Sequence, residues 1–322
     1  MGRKIIYVLL TLLVAGGVAF LTGPRVPVDT TITFDATSLG TDLDAYLVKR
    51  EAETPNLRAG LGREIIWAFP ASKAKTPISI VYVHGFSASK GEVRPLPDLV
   101  AKALGANLYY TRLTGHGQDG AAMAAATVND WVNDYAEAMV IGRAIGEKVL
   151  IISTSMGGGL TTWGLTQPAL SENIMGAVFI SPNYGVQAAG SEILTAPFGK
   201  QLANLIVGKE RSFKPENELH GTLWTPVYPT DAVIPMAGLT ALAAAQPVEQ
   251  IKTPAFFIYS KTDKVIRPDL VEAIEARWGG PKQILAVEKN DDPYSHVIAG
   301  DALSPSTTQP LADAIIAWAK GL

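Results

Sequence analysis

Ile151-Ile152-Ser153-Thr154-Ser155-Met156-Gly157-Gly158 is the stretch on which the fold turns. An apolar, β-branched run ends in Ser155, and small residues follow. A strand that passes into a helix through so sharp a turn needs small neighbours two positions either side of the serine, and it lifts the serine Oγ clear of the sheet. Gly157 fills the second of those positions, while Ser153 stands in the first, where the pattern G-x-S-x-G has glycine.

Working outward, other apolar runs also end in residues that carry chemistry. Ile78 to Val83 reads as a buried strand and closes in His84-Gly85-Phe86-Ser87. Ala255 to Ser260 reads as a second and closes in Lys261-Thr262-Asp263; Gln283 to Val287 reads as a third, with His296 in the polar loop beyond. Open α/β sheets place ligands beyond the carboxyl ends of their strands, where Ser155, Asp263 and His296 each stand. The expected fold class is therefore α/β, a mostly parallel central sheet with helices on both faces.

Ser…Asp…His in this chain order resembles the α/β-hydrolase superfamily, in particular its serine esterases, monoacylglycerol lipases and lysophospholipases. The resemblance runs from about Ile78 to the C-terminus. It rests on His84-Gly85-Phe86, on Arg112-Leu113-Thr114-Gly115-His116-Gly117, on Ser153 to Gly158, and on Asp263 and His296. It implies Ser155 as nucleophile, His296 as its base, Asp263 as the acid that orients the imidazole, and the backbone N–H groups of Phe86 and Met156 as the oxyanion hole. Asp291 and Asp292 are the competing acids, but they precede His296 more closely than the family's spacing has it. Of the four histidines, His84 and His116 fall in loops that the family uses structurally, and His220 lies in a polar section of the inserted segment. The implied reaction is cleavage of small acyl or lipid esters through an acyl-enzyme. Thioester, peptide, lactone or C–C bond hydrolysis by the same three residues is an alternative, as is a non-catalytic binding protein of this fold.

Composition bounds the rest. The 322 residues carry a formal net charge of −3, which offers nothing to nucleic acid. There is no cysteine, so disulfides, thiol catalysis and thiolate metal sites are excluded. The histidines do not fall at metal-ligand spacings, and Gly157-Gly158-Gly159 lacks the Lys-Ser/Thr of a phosphate loop, so neither metal nor cofactor is expected. Oligomeric state is not readable.

Arg3 and Lys4 precede an uncharged apolar run from Ile5 to Leu21. Residues 1–24 read as a signal anchor that leaves the catalytic domain outside the cytoplasm, with a cleaved signal peptide and an exported soluble protein as the alternative. Residues 25–322 read as one catalytic domain. Within it, about 183–251 is too long for a loop and reads as an inserted helical cap. Ile193 to Ile206 reads as one amphipathic helix and Val233 to Ala243 as another, with Phe198, Leu202 and Met236 as candidates to line the site. Thr30 to Phe34 and Ile65 to Phe69 read as edge strands, and Glu92 to Leu104 as the first covering helix.

Overall fold

The computed structural model describes residues 2–322. Its strands are β1 (Glu64–Ile66), β2 (Thr76–Val83), β3 (Asn107–Tyr110), β4 (Gly146–Thr154), β5 (Ile174–Ile180), β6 (Glu210–Ser212), β7 (Val227–Pro229), β8 (Ala255–Tyr259) and β9 (Lys282–Ala286). Seven of them form one sheet in the order β1-β3-β2-β4-β5-β8-β9. Only β1 runs antiparallel to its neighbour. The remaining two, β6 and β7, make a separate antiparallel pair.

The helices are α1 (Gly2–Leu21), α2 (Leu43–Ala52), α3 (Leu96–Leu104), α4 (Gly120–Ala125), α5 (Val128–Ile145), α6 (Met156–Leu165), α7 (Pro168–Ser171), α8 (Gly199–Val207), α9 (Glu218–Leu223), α10 (Val233–Ala244), α11 (Pro268–Arg277) and α12 (Pro305–Ala319). Parallel strands have both faces covered, and their residues alternate between two cores. Val81 and Val83 of β2 join Trp131, Tyr135 and Met139 of α5 and Leu160 of α6 on one face. Ile80 and Tyr82 join Leu96 and Val100 of α3 and Leu311 and Ile315 of α12 on the other.

Three expected elements take a different form. Thr30 to Phe34 is not a strand. Its backbone is held by side chains of α5: Asn133 Oδ1 accepts from the N–H groups of Thr33 (2.7 Å) and Phe34 (2.8 Å), and Asn129 Nδ2 donates to Thr31 O (2.9 Å). The first covering helix begins at Leu96, not Glu92. Arg94 precedes Pro95, and a residue before proline is pushed out of the α region. The expected single helix over 193–206 is broken into a 3-10 turn, Ser191–Thr195, and α8. Pro197 lies at the break, and Phe198 follows with φ of 58°.

The segment between β5 and β8 carries that turn, α8, α9, α10 and the β6–β7 pair. A buried ion cluster secures the stretch before β2. The Arg63 guanidinium, 1% exposed, meets Glu51 of α2 at 2.7 Å and Asp134 and Glu137 of α5 at 2.8 and 3.2 Å. Helix α1, of 20 residues and mean hydropathy 2.2, is exposed along its length and is long and apolar enough to cross a membrane. Just after it, Pro24 O accepts from Phe198 N at 2.7 Å.

Candidate active site

Ser155 sits between β4 and α6 with φ of 51° and ψ of −117°, a backbone conformation costly for any residue but glycine. Its surroundings hold it there. Ser155 N donates to Ile180 O (3.0 Å), and its carbonyl accepts from Gly158 N and Asn183 N (2.9 Å each). The closeness of β2 explains the glycine at 157: a Cβ there would lie 2.3 Å from Val83 O and 2.7 Å from His84 O. Ser153 fits where the pattern has glycine because its small side chain is buried and Oγ donates to Val178 O (3.1 Å).

The structure brings the three sequence candidates into one chain of contacts. His296 Nε2 lies 3.0 Å from Ser155 Oγ. His296 Nδ1 lies 2.7 Å from Asp263 Oδ2. The other Asp263 oxygen accepts from the N–H groups of Val265 (2.7 Å) and Ile266 (2.9 Å), so both oxygens are committed. Asp292, the competing acid, does a different task. Its Oδ2 accepts from the backbone N–H groups of His296 (2.9 Å) and Val297 (2.8 Å), and Oδ1 accepts from Tyr294 N (3.0 Å), which folds the loop carrying the histidine. Ser181 Oγ adds a bond to His296 O at 2.7 Å.

These contacts set the imidazole's basicity. Burial disfavours the charged ring, but Asp263, with further help from Glu92 and Asp292, outweighs it and holds the pKa above the ordinary value of 6.5.

The two expected oxyanion donors are the N–H groups of Phe86 and Met156. Among the described residues neither donates to a protein acceptor. Met156 opens α6, where such donors are unpaired and the helix dipole favours an anion. The Phe86 loop is fixed by His84. Leu113 N donates to His84 Nε2 (3.0 Å), so Nδ1 carries the proton and donates to Gly85 O (2.9 Å). Burial holds His84 well below its ordinary pKa and pushes His116, packed against it, down to about 4. Both are neutral structural rings. His220 lines the site from the inserted segment, with its ring stacked on Phe213 and edge-on to Trp224.

Ser155 and His296 open into a cavity of about 390 Å³, walled by Phe86, Val186, Phe213, Trp224, Tyr228 and Met236 among others. The β6–β7 pair and α10 thus overlie the serine. Of the three lining candidates in that segment, Met236 faces the cavity; Phe198 instead packs on Gly23, and Leu202 is not part of the wall.

Sequence reasoning missed Glu92. It is 2% exposed, lines the same cavity and touches the Phe86 loop, yet a glutamate just before a helix reads as a solvated first-turn acid. The only signal was Pro95, which moves the helix start past it.

Comparison with known proteins places the fold. Residues 80–304 match the family model described as Alpha/beta hydrolase family. The chain is 28% identical over 209 residues to the thermostable monoacylglycerol lipase of Bacillus sp. (strain H-257), spanning 62% of this chain and 75% of that one. A structure described for LipS and LipT, two metagenome-derived lipolytic enzymes, superposes with a TM-score of 0.67 at 25% identity, covering 83% of this chain and all (100%) of the other. A soluble variant of monoglyceride lipase from Saccharomyces cerevisiae shares the fold, with a TM-score of 0.61 at 12% identity over 81% of this chain and 91% of its own. The chain belongs to the alpha/beta hydrolase family and is a hydrolase.

Proposed function

We propose that the protein cleaves carboxylic esters of small acyl or lipid type through an acyl-enzyme on Ser155. One observation carries the reading: the unbroken contact from Ser155 Oγ through His296 to Asp263, at 3.0 and 2.7 Å, on the wall of a largely apolar cavity. Similarity to proteins named as lipolytic enzymes supports the substrate class.

In this mechanism Oγ attacks the ester carbonyl as His296 Nε2 takes its proton. The imidazolium forms against Asp263, which stabilises it and fixes the tautomer. The N–H groups of Phe86 and Met156 meet the oxyanion; losing one such donor typically costs about 3 kcal/mol. His296 then protonates the departing alcohol. Water, activated by the same nitrogen, releases the acid. No metal or cofactor enters the scheme.

Residues 183–251 act as a cap whose apolar wall receives the acyl chain. Residues 1–24 act as a signal anchor, and Arg3 and Lys4 on the cytoplasmic side leave the catalytic domain outside the cytoplasm. Release by a signal peptidase, giving an exported soluble form, is the alternative.

A fluorophosphonate probe tests the central claim, since only an activated serine labels. The full chain is expected to label at Ser155, and Ser155→Ala to lose both labelling and p-nitrophenyl ester hydrolysis while remaining folded. Labelling that survives in Ser155→Ala refutes it. Fractionation and protease accessibility in intact cells test the location; full-length protein in the soluble cytoplasmic fraction refutes the anchor.

A further inference from the structure

The oxyanion loop is clamped from two sides, and one clamp is a buried carboxylate. Glu92 Oε2 accepts from Gly85 N (2.8 Å) and from Tyr82 Oη (2.9 Å). Tyr82 comes from β2, and its hydroxyl also pairs with Thr154 Oγ1 (3.0 Å), next to Ser155. Gly85 is wedged so closely that a Cβ on it would lie 2.6 Å from Glu92 Oε1 and 3.0 Å from Ser155 Cβ. The Phe86 N–H belongs to the peptide plane whose carbonyl is Gly85 O, and His84 Nδ1–H already holds that carbonyl. In a trans peptide the N–H points opposite to the C=O. Holding Gly85 N from one side and Gly85 O from the other therefore leaves the Phe86 N–H a single direction.

The same carboxylate bears on the base. Glu92 and His296 line one cavity, and a negative charge on Glu92 favours imidazolium at His296, as do those on Asp263 and Asp292. Burial outweighs the bonds from Gly85 and Tyr82 and the charge of His296, and the Glu92 carboxyl is pushed up to about 7. Two groups that interact in this range titrate as a pair.

Resting on the proposed roles of Ser155, His296 and Asp263, we infer that Glu92 is a positioning residue of the site: it aims the Phe86 N–H at the oxyanion and adds a negative charge that stabilises His296 when protonated. No step transfers a proton or a bond to Glu92 itself.

Glu92→Gln keeps an acceptor for Gly85 N–H and removes the charge. The experiment compares the full chain with Glu92→Gln for fluorophosphonate labelling and for the pH profile of kcat/KM on p-nitrophenyl acetate, from about pH 5 to 9. Expected is a variant that still labels at Ser155. Its plateau kcat/KM should be lower, with most of the loss in kcat. The acid limb of its profile should move to lower pH by on the order of half a unit. A uniform loss with an unmoved limb reduces Glu92 to packing and overturns the inference. If Glu92→Gln does not fold, an NMR titration of the unmodified protein decides: coupled inflections of the Glu92 carboxyl and the His296 ring support the inference, and independent titrations overturn it. Failure of the unmodified protein to label removes the proposed triad itself. A labelled protein whose acid limb ignores Glu92 removes this inference alone.

Discussion

Gly157→Ala is a one-carbon change whose effect follows from two backbone oxygens. The added Cβ would stand 2.3 Å from Val83 O and 2.7 Å from His84 O, and a Cβ is essentially never found within 3.0 Å of a neighbour. Opening 2.3 Å to 3.0 Å requires about 0.7 Å of movement between the start of α6 and the end of β2. Neither partner is a flexible side chain that could turn away. Ser155 is two residues before Gly157, and Phe86 is two residues after His84, so the displacement falls directly on the distance between Ser155 Oγ and the Phe86 N–H, the proposed nucleophile and oxyanion donor. Misplacement by about 1 Å costs about 10²-fold in rate, so a loss of kcat of roughly 10- to 100-fold is expected. Overpacking of this kind costs about 1–3 kcal/mol, which lowers Tm by about 2–5 °C in a domain of this size. Gly159→Ala is the control. Its Cβ would meet Asn183 O at 3.1 Å and Ala243 Cβ at 3.3 Å, a fit that small adjustments accommodate. Alanine also gains up to about 1 kcal/mol of helix propensity over glycine. The assay is kcat and KM on p-nitrophenyl acetate, beside thermal unfolding, for both variants. Wild-type kcat and Tm in Gly157→Ala, or equal losses in the two variants, would refute the steric account of the turn.

Other outcomes follow from the same structure. In the proposed mechanism His296 acts as neutral imidazole, and Asp263 holds its pKa above the ordinary value, so kcat/KM should rise with pH through a midpoint above 6.5; Asp263→Asn should move that midpoint down and cut kcat on the order of 10³- to 10⁴-fold, as a pH-rate series will show. Arg63→Met leaves Asp134 buried without a cation, and Glu51 and Glu137 with only Arg112 and Arg50, and should destabilise the fold by about 3–5 kcal/mol in urea unfolding, with a smaller loss counting against the cluster as the anchor of the stretch before β2. Met236→Ala enlarges the cavity wall and should change the ratio of long-chain to acetate ester turnover severalfold at little cost in acetate turnover; uniform slowing at every chain length would contradict an acyl-binding role.

What was legible in the sequence was what hydrophobic runs encode. β2, β4, β5, β8 and β9 read as apolar stretches in the sequence, and pattern together with the family resemblance points to Phe86, Ser155, Asp263 and His296 in the loops beyond four of them, residues that the structure gathers around one cavity or in contact with it. The contested choice between Asp263 and Asp292 needed geometry. Both acids are buried near His296, one on its ring and one on its backbone; the family's spacing favours Asp263, but only the fold shows which task each acid has. Thr30 to Phe34 alternates like a strand, but alternation does not say whether the backbone partner is another strand or, as here, the amide side chains of Asn129 and Asn133 on a helix. Glu92 was hidden because burial of a carboxylate depends on what folds over it, and Tyr82 and Gly85 are brought to it only by the sheet.

The place where the chain departs from the sheet to build the wall above Ser155 has a consequence of its own. It leaves at Ile180 on β5 and returns at Ala255 on β8, and these strands are hydrogen-bonded neighbours with Ala177 opposite Ala255. The strands are parallel, with Ile180 opposite Ile258, so the two ends of the excursion stand one strand spacing apart sideways, about 4.8 Å, and three residues apart along the strands, about 10 Å. Closing a flexible chain between fixed ends costs entropy that grows only with the logarithm of its length, about 0.6 kcal/mol for each doubling. Lengthening its exposed parts therefore costs the sheet little, whereas Leu239, Ala243 and Val248 are buried in the core beside α6 and are not free to be lost with them. The β6–β7 part of the wall above Ser155 can thus diverge while the strand behind the serine stays unchanged.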